Sequence, residues 1–334
     1  VELCKCDLTT QMVQEFTELQ GIVGGLYARA QGEPAEVADA IYDHYRPAGI
    51  EDSGPRSIVG AVLSLADKLD TVVSGFSAGL APTGSSDPFG LRRAGNGVVK
   101  VLVDRAIQID PWNLTDFALA AIGQLPSHKS HLAQPLSKFW VERLAYYLAE
   151  GQRLRYDTVR AVLGGRQWGG AAALMIPSNA AMWAKALESI RDTENFAAIV
   201  AAAKRTRSIL QKSASQADLA GALAIDKALL EQGAEASLFE EYTKAWNDLN
   251  GRQRTRIEDY RSALLEIAKL RPFVDAFFDN VLVMAEDEDL RRNRLALLRK
   301  LQESVFSSFA DLSEIVAGTE SSSGNSRVIE GKAV

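Results

Sequence analysis

The feature that most constrains this chain is a spacing of three and four residues between apolar positions, which recurs almost from end to end. In the first segment it connects Met12, Phe16, Leu19, Val23 and Leu26, which is the pattern of one buried stripe on an amphipathic helix. We find no convincing pattern of a strand and no internal repeat of fixed period. The sequence therefore predicts an all-α protein.

Turn-forming residues divide this pattern into separate helices in the first part of the chain. Helices are predicted over 7–30, from Pro34 to Pro47, over 57–76, and from Asp87 as N-cap with Pro88 as the first helical residue. A loop rich in turn formers, 79–86, precedes the last of these. Together they predict a compact helical domain.

The rest of the chain is predicted to form shorter helices as far as about Gln167, and long helices after that. A segment rich in Gly and Ala, 168–176, separates the two parts. The long helices are predicted over 180–213, 217–232, 237–251, 254–270, 272–284 and 287–309. Short connections between long helices are typical of a bundle. The tail, 319–334, is rich in Ser and Gly and is predicted to be disordered.

Composition indicates a folded protein of more than one domain. Of its residues, 47% are hydrophobic and 24% charged, as in globular proteins. A length of 334 residues is more than one hydrophobic core usually holds. No apolar run approaches the ~18 residues of a membrane span, and the start lacks a signal-peptide pattern. The cysteines, Cys4 and Cys6, are too close in sequence to staple the fold. We expect a soluble cytosolic protein without a membrane partner and, because Val1 begins in mid-pattern without Met, a fragment of a longer polypeptide.

The distribution of charge points to a nucleic acid more than its sum does. A net charge of −6 by itself disfavours phosphate binding, which needs Lys and Arg. Two local clusters are nevertheless strongly basic, and the first contains no acidic residue. They are Lys204, Arg205, Arg207 and Lys212, and Arg252, Arg254 and Arg256. We expect both clusters to contact RNA.

Two arginine pairs are further candidates for RNA contacts. Arg92 and Arg93 lie on the first turns of a predicted helix, where they would reach either an RNA backbone or nearby carboxylates. The sequence leaves both possibilities open. Arg291 and Arg292 project away from the apolar stripe of the last predicted helix, so they are expected to be freer to bind.

Arg294 differs from these candidates because it falls on that apolar stripe. An arginine on the buried side of a helix needs a carboxylate partner. Asp275 and Asp279 on the preceding predicted helix are the expected partners, so a structural role is favoured over an RNA contact for Arg294.

One histidine hints at a different chemistry. His44, with Asp67 and Asp70, suggests the helical metal-dependent phosphohydrolases that carry a His-Asp signature. That metal site needs several converging His and Asp ligands, including an adjacent His-Asp pair, which this sequence lacks. A structural histidine is the favoured interpretation.

The other possible metal ligands are too few. His128 and His131 form a pair without further ligands, and the Cys4-Lys5-Cys6 spacing is shorter than the usual pair of a zinc finger. We expect His128 and His131 to lie in a surface loop. Neither a metal nor a catalytic residue is expected.

Several long motifs, in order, resemble the beta subunit of bacterial-type glycyl-tRNA synthetase. They are 7–21 with 27–29, 66–71, 82–85 with 87–93, and 274–281 with 293–295. The resemblance covers nearly the whole chain except the serine-rich tail. The family also carries the basic pair Lys204-Arg205 before Asn-Ile-Leu, where this chain gains Arg207 and has Ser208 in place of Asn.

This resemblance implies the C-terminal half of that beta subunit. The implied domains are a degenerate HD-type helical domain at 1–110, a helical linker region at 111–170, and a DALR-like helical-bundle anticodon-binding domain at 171–318, similar to that of arginyl-tRNA synthetase. The implied partners are glycine tRNA, recognised through anticodon and body, and an alpha subunit in a heterotetramer. That alpha subunit carries the catalytic site, ATP and magnesium, so no cofactor is expected in this chain. The implied location is the bacterial cytoplasm, or a plastid or mitochondrion for a fused plant enzyme.

Two other classes of function remain as alternatives. An HD-type phosphohydrolase would require a bound metal and turnover of a phosphoester. A helical scaffold that binds only proteins would need no basic clusters and would not bind tRNA. The residues alone predict a helical protein with possible RNA binding, and the resemblance favours the synthetase.

Overall fold

The computed structural model describes residues 1–124, 131–164, 176–213, 224–251, 256–308 and 310–316. Within these ranges every regular element is helical, and the strand-like pairing is an isolated antiparallel bridge between Thr83 and Ser86. The prediction of an all-α fold is confirmed. None of the helices described is long and apolar enough to cross a membrane.

The described α-helices are numbered here in chain order. They are α1 Gln11–Glu15, α2 Ile22–Ala30, α3 Ala35–Asp43, α4 Ile58–Ser77, α5 Leu91–Asp104, α6 Pro111–Ala121, α7 Ala133–Tyr146, α8 Tyr156–Leu163, α9 Pro177–Ile190, α10 Glu194–Lys212, α11 Ala234–Gly251, α12 Ile257–Ala268, α13 Arg271–Asn280 and α14 Glu288–Leu301. Single π-helical turns, Tyr147–Gly151 and Gln302–Phe306, extend α7 and α14. Short 3-10 helices occur at Cys6–Thr9, Thr17–Leu19, Lys227–Leu229 and Leu312–Glu314.

The prediction of one continuous helix over 7–30 is wrong, because the segment is divided into short α- and 3-10 helices, with a turn at Gly21 before α2. The φ angle of Gly21 is 77°, a left-handed conformation that glycine adopts without steric cost. Its N–H donates a 2.6 Å hydrogen bond to the carboxylate of Asp7, which is buried. A Cβ atom on Gly21 would lie 2.7 Å from the ring of Tyr45. The single buried stripe predicted for this segment is wrong as well, because Val23 is buried whereas Met12, Phe16 and Leu26 are exposed.

The start of α5 also differs from the prediction. The helix begins at Leu91, after Gly90 with a φ of 67°, and not at Pro88. Asp87 still binds the start of the helix, because its carboxylate accepts hydrogen bonds from the N–H groups of Leu91 and Arg92 at 2.8 and 3.0 Å. The N-cap position is therefore Gly90 and not Asp87 as predicted, because a tight turn separates the Asp87 carboxylate from the helix that it binds.

The long helices predicted for the second part are confirmed in part. The segment 180–213 is divided into α9 and α10, which meet at Arg191–Thr193. The segment 217–232 was predicted to be helical, but its described part, 224–232, contains only the 3-10 helix Lys227–Leu229. The predicted boundary at 168–176, apart from Ile176, lies outside the described residues, as does the tail at 319–334.

An apolar core extends through both parts of the chain. It includes the fully buried side chains of Trp140 from α7, Phe196 from α10 and Phe277 from α13. Packing of α5 against α9 connects the two parts. A smaller cluster, which includes Ile41 and Leu63, lies where the first helices pack on α4. The domain boundaries drawn from the resemblance stay a prediction.

A buried arginine connects α8, α9 and the last described residues. The Arg191 side chain is 3% exposed and donates to both carboxylate oxygens of Asp157, at 2.7 and 2.6 Å. Asp157 also accepts a 2.7 Å hydrogen bond from the N–H of Val316. Burial raises the pKa of Asp157, but the hydrogen bonds from Arg191 and Val316 outweigh it and leave the pKa below its ordinary value.

Candidate nucleic-acid interface

The outer face of α10 carries three exposed basic residues. Phe196, Val200 and Ala203 lie on the inner face of this helix and are buried against α12, α13 and α14. The helical repeat of 3.6 residues then places other positions on the outside. Lys204, Arg205 and Lys212 are exposed there, and we call these three residues the α10 basic face.

Arg205 lies over an aromatic ring. Its guanidinium carbon lies 4.2 Å from the centre of the Phe278 ring on α13, and its Nη2 lies 3.5 Å from the Phe278 carbonyl oxygen. Such a cation–π contact restrains the guanidinium plane. Lys204 beside it makes no ion pair among the described residues. A restrained planar cation next to a free ammonium group is suited to base stacking and phosphate neutralisation.

Arg207, from the same predicted cluster, points toward the end of the described chain. Its guanidinium contacts Glu314 and Ser313 at 2.7 Å each and Asp311 at 3.2 Å. The hydrogen bond to Glu314 raises the pKa of Arg207. These contacts hold the 3-10 helix Leu312–Glu314 against α10, so an RNA phosphate would have to compete with two carboxylates for this side chain.

The second predicted cluster is described only in part. Arg252 and Arg254 lie outside the described residues. Arg256 is exposed at the start of α12, where it pairs with Asp259 at 3.1 Å. His128 likewise lies outside the described residues, whereas His131 is exposed, as expected for a surface loop.

The two arginines at the start of α14 are not equivalent. Arg291 was expected to be free, but its side chain is only 19% exposed and donates to the carbonyl oxygens of Ala285 and Glu286, at 2.9 and 3.4 Å. Arg292 is more exposed and pairs with Glu288 at 3.3 Å. The apolar stripe predicted that both arginines lie off the buried face of the helix. It did not show that the preceding loop folds back on Arg291.

Arg294 is buried, as predicted, but the predicted partners, Asp275 and Asp279, are wrong. Its guanidinium contacts Glu231 at 2.7 Å and Glu235 at 3.2 Å, and donates to the Leu282 carbonyl oxygen at 3.0 Å. Both glutamates lie near the start of α11. These carboxylates therefore come from a segment that is distant in sequence from Arg294. The sequence did not indicate that this segment packs against the arginine.

Arg92 and Arg93 lie beside a cavity on the first turn of α5. The Arg92 guanidinium donates to the carbonyl oxygens of Gly84 and Ser86, at 2.8 and 3.4 Å, and so braces the preceding turn. Arg93 is exposed. Within the described residues neither side chain forms the ion pair with a carboxylate that the sequence left open.

The residues that hinted at a metal site bind other groups or are exposed. The Nδ1 atom of His44 lies 2.7 Å from the Ile41 carbonyl oxygen, Asp67 pairs with Lys5 at 2.7 Å, and Asp70 is exposed. Across the described ranges no three His, Cys, Asp or Glu side chains are grouped so that they could hold a metal ion.

A lysine ammonium group fills the polar space next to His44. Lys68 is buried, and its Nζ donates to the carbonyl oxygens of His44 and Tyr45 at 3.1 Å, to that of Arg46 at 3.2 Å, and to the Ser64 hydroxyl at 3.0 Å. Burial lowers the pKa of Lys68 to about 8. A cation already satisfies these oxygens at neutral pH.

Sequence reasoning missed Arg143 on α7, which contacts Asn96 in the lining of the cavity beside Arg92 and Arg93. Its Nη1 is 3.4 Å from the Oδ1 of Asn96 on α5. Gly95 was the available signal, because a glycine inside a helix often marks a close approach of another element. A Cβ atom there would lie 3.0 Å from the Cγ of Arg143.

Comparison with known proteins agrees with the resemblance seen in the motifs. A family model described as glycyl-tRNA synthetase beta subunit matches residues 1–164. The glycine–tRNA ligase beta subunit of Acidobacterium capsulatum is 46% identical over 323 residues, which cover 95% of this chain and 44% of that protein.

Two further relatives carry the same description. The glycine–tRNA ligase beta subunit of Chromohalobacter salexigens is 39% identical over 94% of this chain and 43% of its own length. That of Acaryochloris marina is 37% identical over 90% of this chain and 43% of its own length. The chain thus spans less than half the length of these relatives. On these matches, the chain belongs to the family of glycyl-tRNA synthetase beta subunits.

Proposed function

We propose that this chain is the tRNA-binding part of a glycine–tRNA ligase. In this proposal it recognises glycine tRNA through the anticodon and body, and an alpha subunit attaches glycine with ATP and magnesium. The observation that carries the proposal is the 46% identity, over 95% of the chain, to a protein named glycine–tRNA ligase beta subunit. The proposed setting is a heterotetramer with alpha subunits in the bacterial cytoplasm, and the chain itself contributes no catalytic residue.

The α10 basic face is our candidate for the anticodon contact. Anticodon bases are unpaired, so proteins read them by stacking and by hydrogen bonds beside neutralised phosphates. Arg205, restrained on Phe278, offers a planar cation for stacking, and Lys204 offers an ammonium group for the backbone. The inner side of α10 is fixed in the core, which supports a rigid presentation of both groups.

The overall charge of the chain affects how the α10 basic face attracts RNA. A chain of net charge −6 repels RNA at long range, so attraction depends on local clusters of cations. Each phosphate contact releases counterions, and affinity therefore falls as salt rises. We expect binding of glycine tRNA to be clearly salt-dependent.

The test compares the wild-type chain with Lys204→Ala/Arg205→Ala in binding to glycine tRNA over a series of salt concentrations. The double variant is expected to bind about tenfold more weakly and to lose about one to two units of the salt slope, because each phosphate contact contributes about 0.9. The control, Lys244→Ala/Lys269→Ala, removes the same charge from exposed pairs with Glu241 and Glu266. It is expected to bind like wild type. Equal loss in both double variants would count against the α10 basic face.

A second comparison separates charge from stacking at Arg205. Arg205→Lys keeps the positive charge but loses the planar group that lies on Phe278. We expect it to retain the salt slope of wild type while losing discrimination between glycine tRNA and a tRNA with an altered anticodon. If Arg205→Lys discriminates between the two tRNAs as well as wild type does, Arg205 does not act by stacking.

A further inference from the structure

A cavity of about 330 Å³ lies between the first turn of α5, the loop after α3 and the end of α7. Its polar side chains come from separate elements. Arg92, Arg93 and Asn96 belong to α5, and Tyr146 is the last residue of α7. The cavity is therefore a site built by tertiary packing and not a feature of one helix end.

Arg143 contacts Asn96 in the lining of this cavity and has few other partners. Its side chain is 12% exposed, and its Nε is buried without a hydrogen-bond partner among the described residues. Its hydrogen bond to Asn96 is long at 3.4 Å, and its contact with the Glu142 carboxylate is 3.8 Å. An arginine keeps its charge even when buried. A buried guanidinium with weak partners is costly unless an anion completes the site.

The packing around Arg143 brings it to this position. Its guanidinium carbon lies 5.7 Å from the centre of the Phe139 ring and 5.9 Å from that of Tyr146. A Cβ atom on Gly95 would lie 2.6 Å from the Phe139 ring and 3.0 Å from the Cγ of Arg143. A glycine at this position lets α7 approach α5 closely enough to place Arg143 beside Asn96.

Within the described chain, the one carboxylate that lines the cavity already binds backbone N–H groups. Asp87 lines it, but one carboxylate oxygen accepts from the N–H of Leu91 and the other from the N–H of Arg92. The Arg92 guanidinium is directed to carbonyl oxygens, and Arg93 has no carboxylate partner among the residues described. Arg92 and Arg93 therefore line a space whose one lining carboxylate already binds backbone N–H groups, and Arg143 contacts this lining through Asn96.

We infer that Arg92, Arg93 and Arg143, with Asn96 and Tyr146, form an arginine cleft that binds a phosphodiester of an RNA backbone. A guanidinium presents parallel N–H donors that match phosphate oxygens, and the Asn96 side-chain amide adds a neutral donor. The partly exposed ring of Tyr146 offers a surface for an adjacent base. This inference rests on the proposed function, and it assigns the bound phosphate to the tRNA at a contact distinct from the α10 basic face.

The test measures binding of glycine tRNA to the full 334-residue chain at several salt concentrations. Arg93→Ala removes an exposed arginine, and Arg143→Met removes the buried charge while keeping an unbranched side chain against Phe139. Each is expected to weaken binding about tenfold and to lower the salt slope by about one unit. Arg143→Lys keeps the charge and is expected to recover part of the affinity.

The matched control is Lys138→Ala. Lys138 lies on the same helix as Arg143, is 80% exposed, and lies 4.0 Å from Glu142. It removes one positive charge without touching the cleft, so binding is expected to match wild type. Thermal unfolding followed by circular dichroism checks that Arg143→Met is folded, and Arg93→Ala tests the cleft independently of that result.

The outcomes separate this inference from the proposed function. If the Arg93 and Arg143 variants bind tRNA like wild type while Lys204→Ala/Arg205→Ala binds weakly, the cleft inference is overturned and the proposed function stands. If the wild-type chain does not bind tRNA, both are overturned. Binding of ATP that is lost in Arg93→Ala, with tRNA affinity unchanged, would identify a nucleotide site and contradict the RNA phosphodiester.

Discussion

Arg191 and Asp157 form a bidentate ion pair, with two N–O distances of 2.7 and 2.6 Å, that joins the end of α9 to the start of α8. The same two residues hold the last described part of the chain. The Asp157 carboxylate accepts from the N–H of Val316, and the Arg191 guanidinium donates to the Val316 carbonyl oxygen at 3.2 Å. One pair of side chains thus connects three segments that are distant in sequence.

We expect Asp157→Asn to lower the free energy of unfolding by about 3 kcal/mol, because it leaves the buried Arg191 with only the longer contacts to Glu188 and Asp192, at 3.7 and 3.9 Å. Urea unfolding at neutral pH measures this change. Asp192→Asn is the matched control, since Asp192 pairs with Arg155 at the surface, and its expected cost is below about 1 kcal/mol. Equal losses in the two variants would show that burial does not strengthen the Arg191–Asp157 pair.

The same pair predicts a dependence of stability on pH. The pKa of Asp157 in the folded protein lies below its ordinary value of 3.8. Its stabilisation is therefore fully present above this ordinary value and is lost as the pH falls through the folded pKa. The difference in unfolding free energy between wild type and Asp157→Asn should be constant from pH 7 to 5 and should shrink below 3.8. A difference that grows on acidification would contradict the direction of the shift.

Gly21→Ala should destabilise the protein more than a positive φ angle alone explains. Gly21 and Gly32 have φ angles of 77° and 89°, but only at Gly21 would a Cβ atom meet a neighbour, 2.7 Å away on Tyr45. We expect about 1 kcal/mol for Gly32→Ala and at least about 2 kcal/mol for Gly21→Ala. Thermal or urea unfolding of both variants measures the difference, and similar values would remove the steric role of Tyr45.

Arg207 should matter more for stability than for RNA affinity. Its ion pairs with Asp311 and Glu314 hold the end of the described chain against α10, and they are partly exposed, so Arg207→Ala is expected to cost about 1 kcal/mol. Its tRNA affinity should fall less than that of Lys204→Ala/Arg205→Ala. Binding and unfolding measurements on the same variant test this. A loss of tRNA affinity without a loss of stability would show that Arg207 contacts RNA.

Local pattern was enough to predict the elements whose ends and faces depend on nearby residues. The start of α4 was predicted at Ser57, and there the Ser57 hydroxyl accepts a 3.0 Å hydrogen bond from the N–H of Gly60. α10 lies within the predicted helix 180–213, which is divided at Arg191–Thr193, and its buried positions place Lys204 and Arg205 on the outside. Helical periodicity contains this information because a residue's face is set by positions three and four away.

Features that depend on packing between distant segments were not predictable in the same way. The partners of Arg294 come from Glu231 and Glu235, and the approach of Arg143 to Arg92 depends on how α7 crosses α5. No local pattern in the sequence specifies which helices pack together. The sequence thus indicated Arg92 and Arg93, but neither Arg143 nor the partners of Arg294.

The central claim is that this chain recognises glycine tRNA by its anticodon. The most direct test is the ratio of dissociation constants of the wild-type chain for glycine tRNA and for the same tRNA with an altered anticodon, at one fixed salt concentration. We expect the unaltered tRNA to bind at least about tenfold more tightly, since each mismatched base contact in a specific complex costs about 1–3 kcal/mol. Equal dissociation constants for the two tRNAs, or no binding of either, would contradict it.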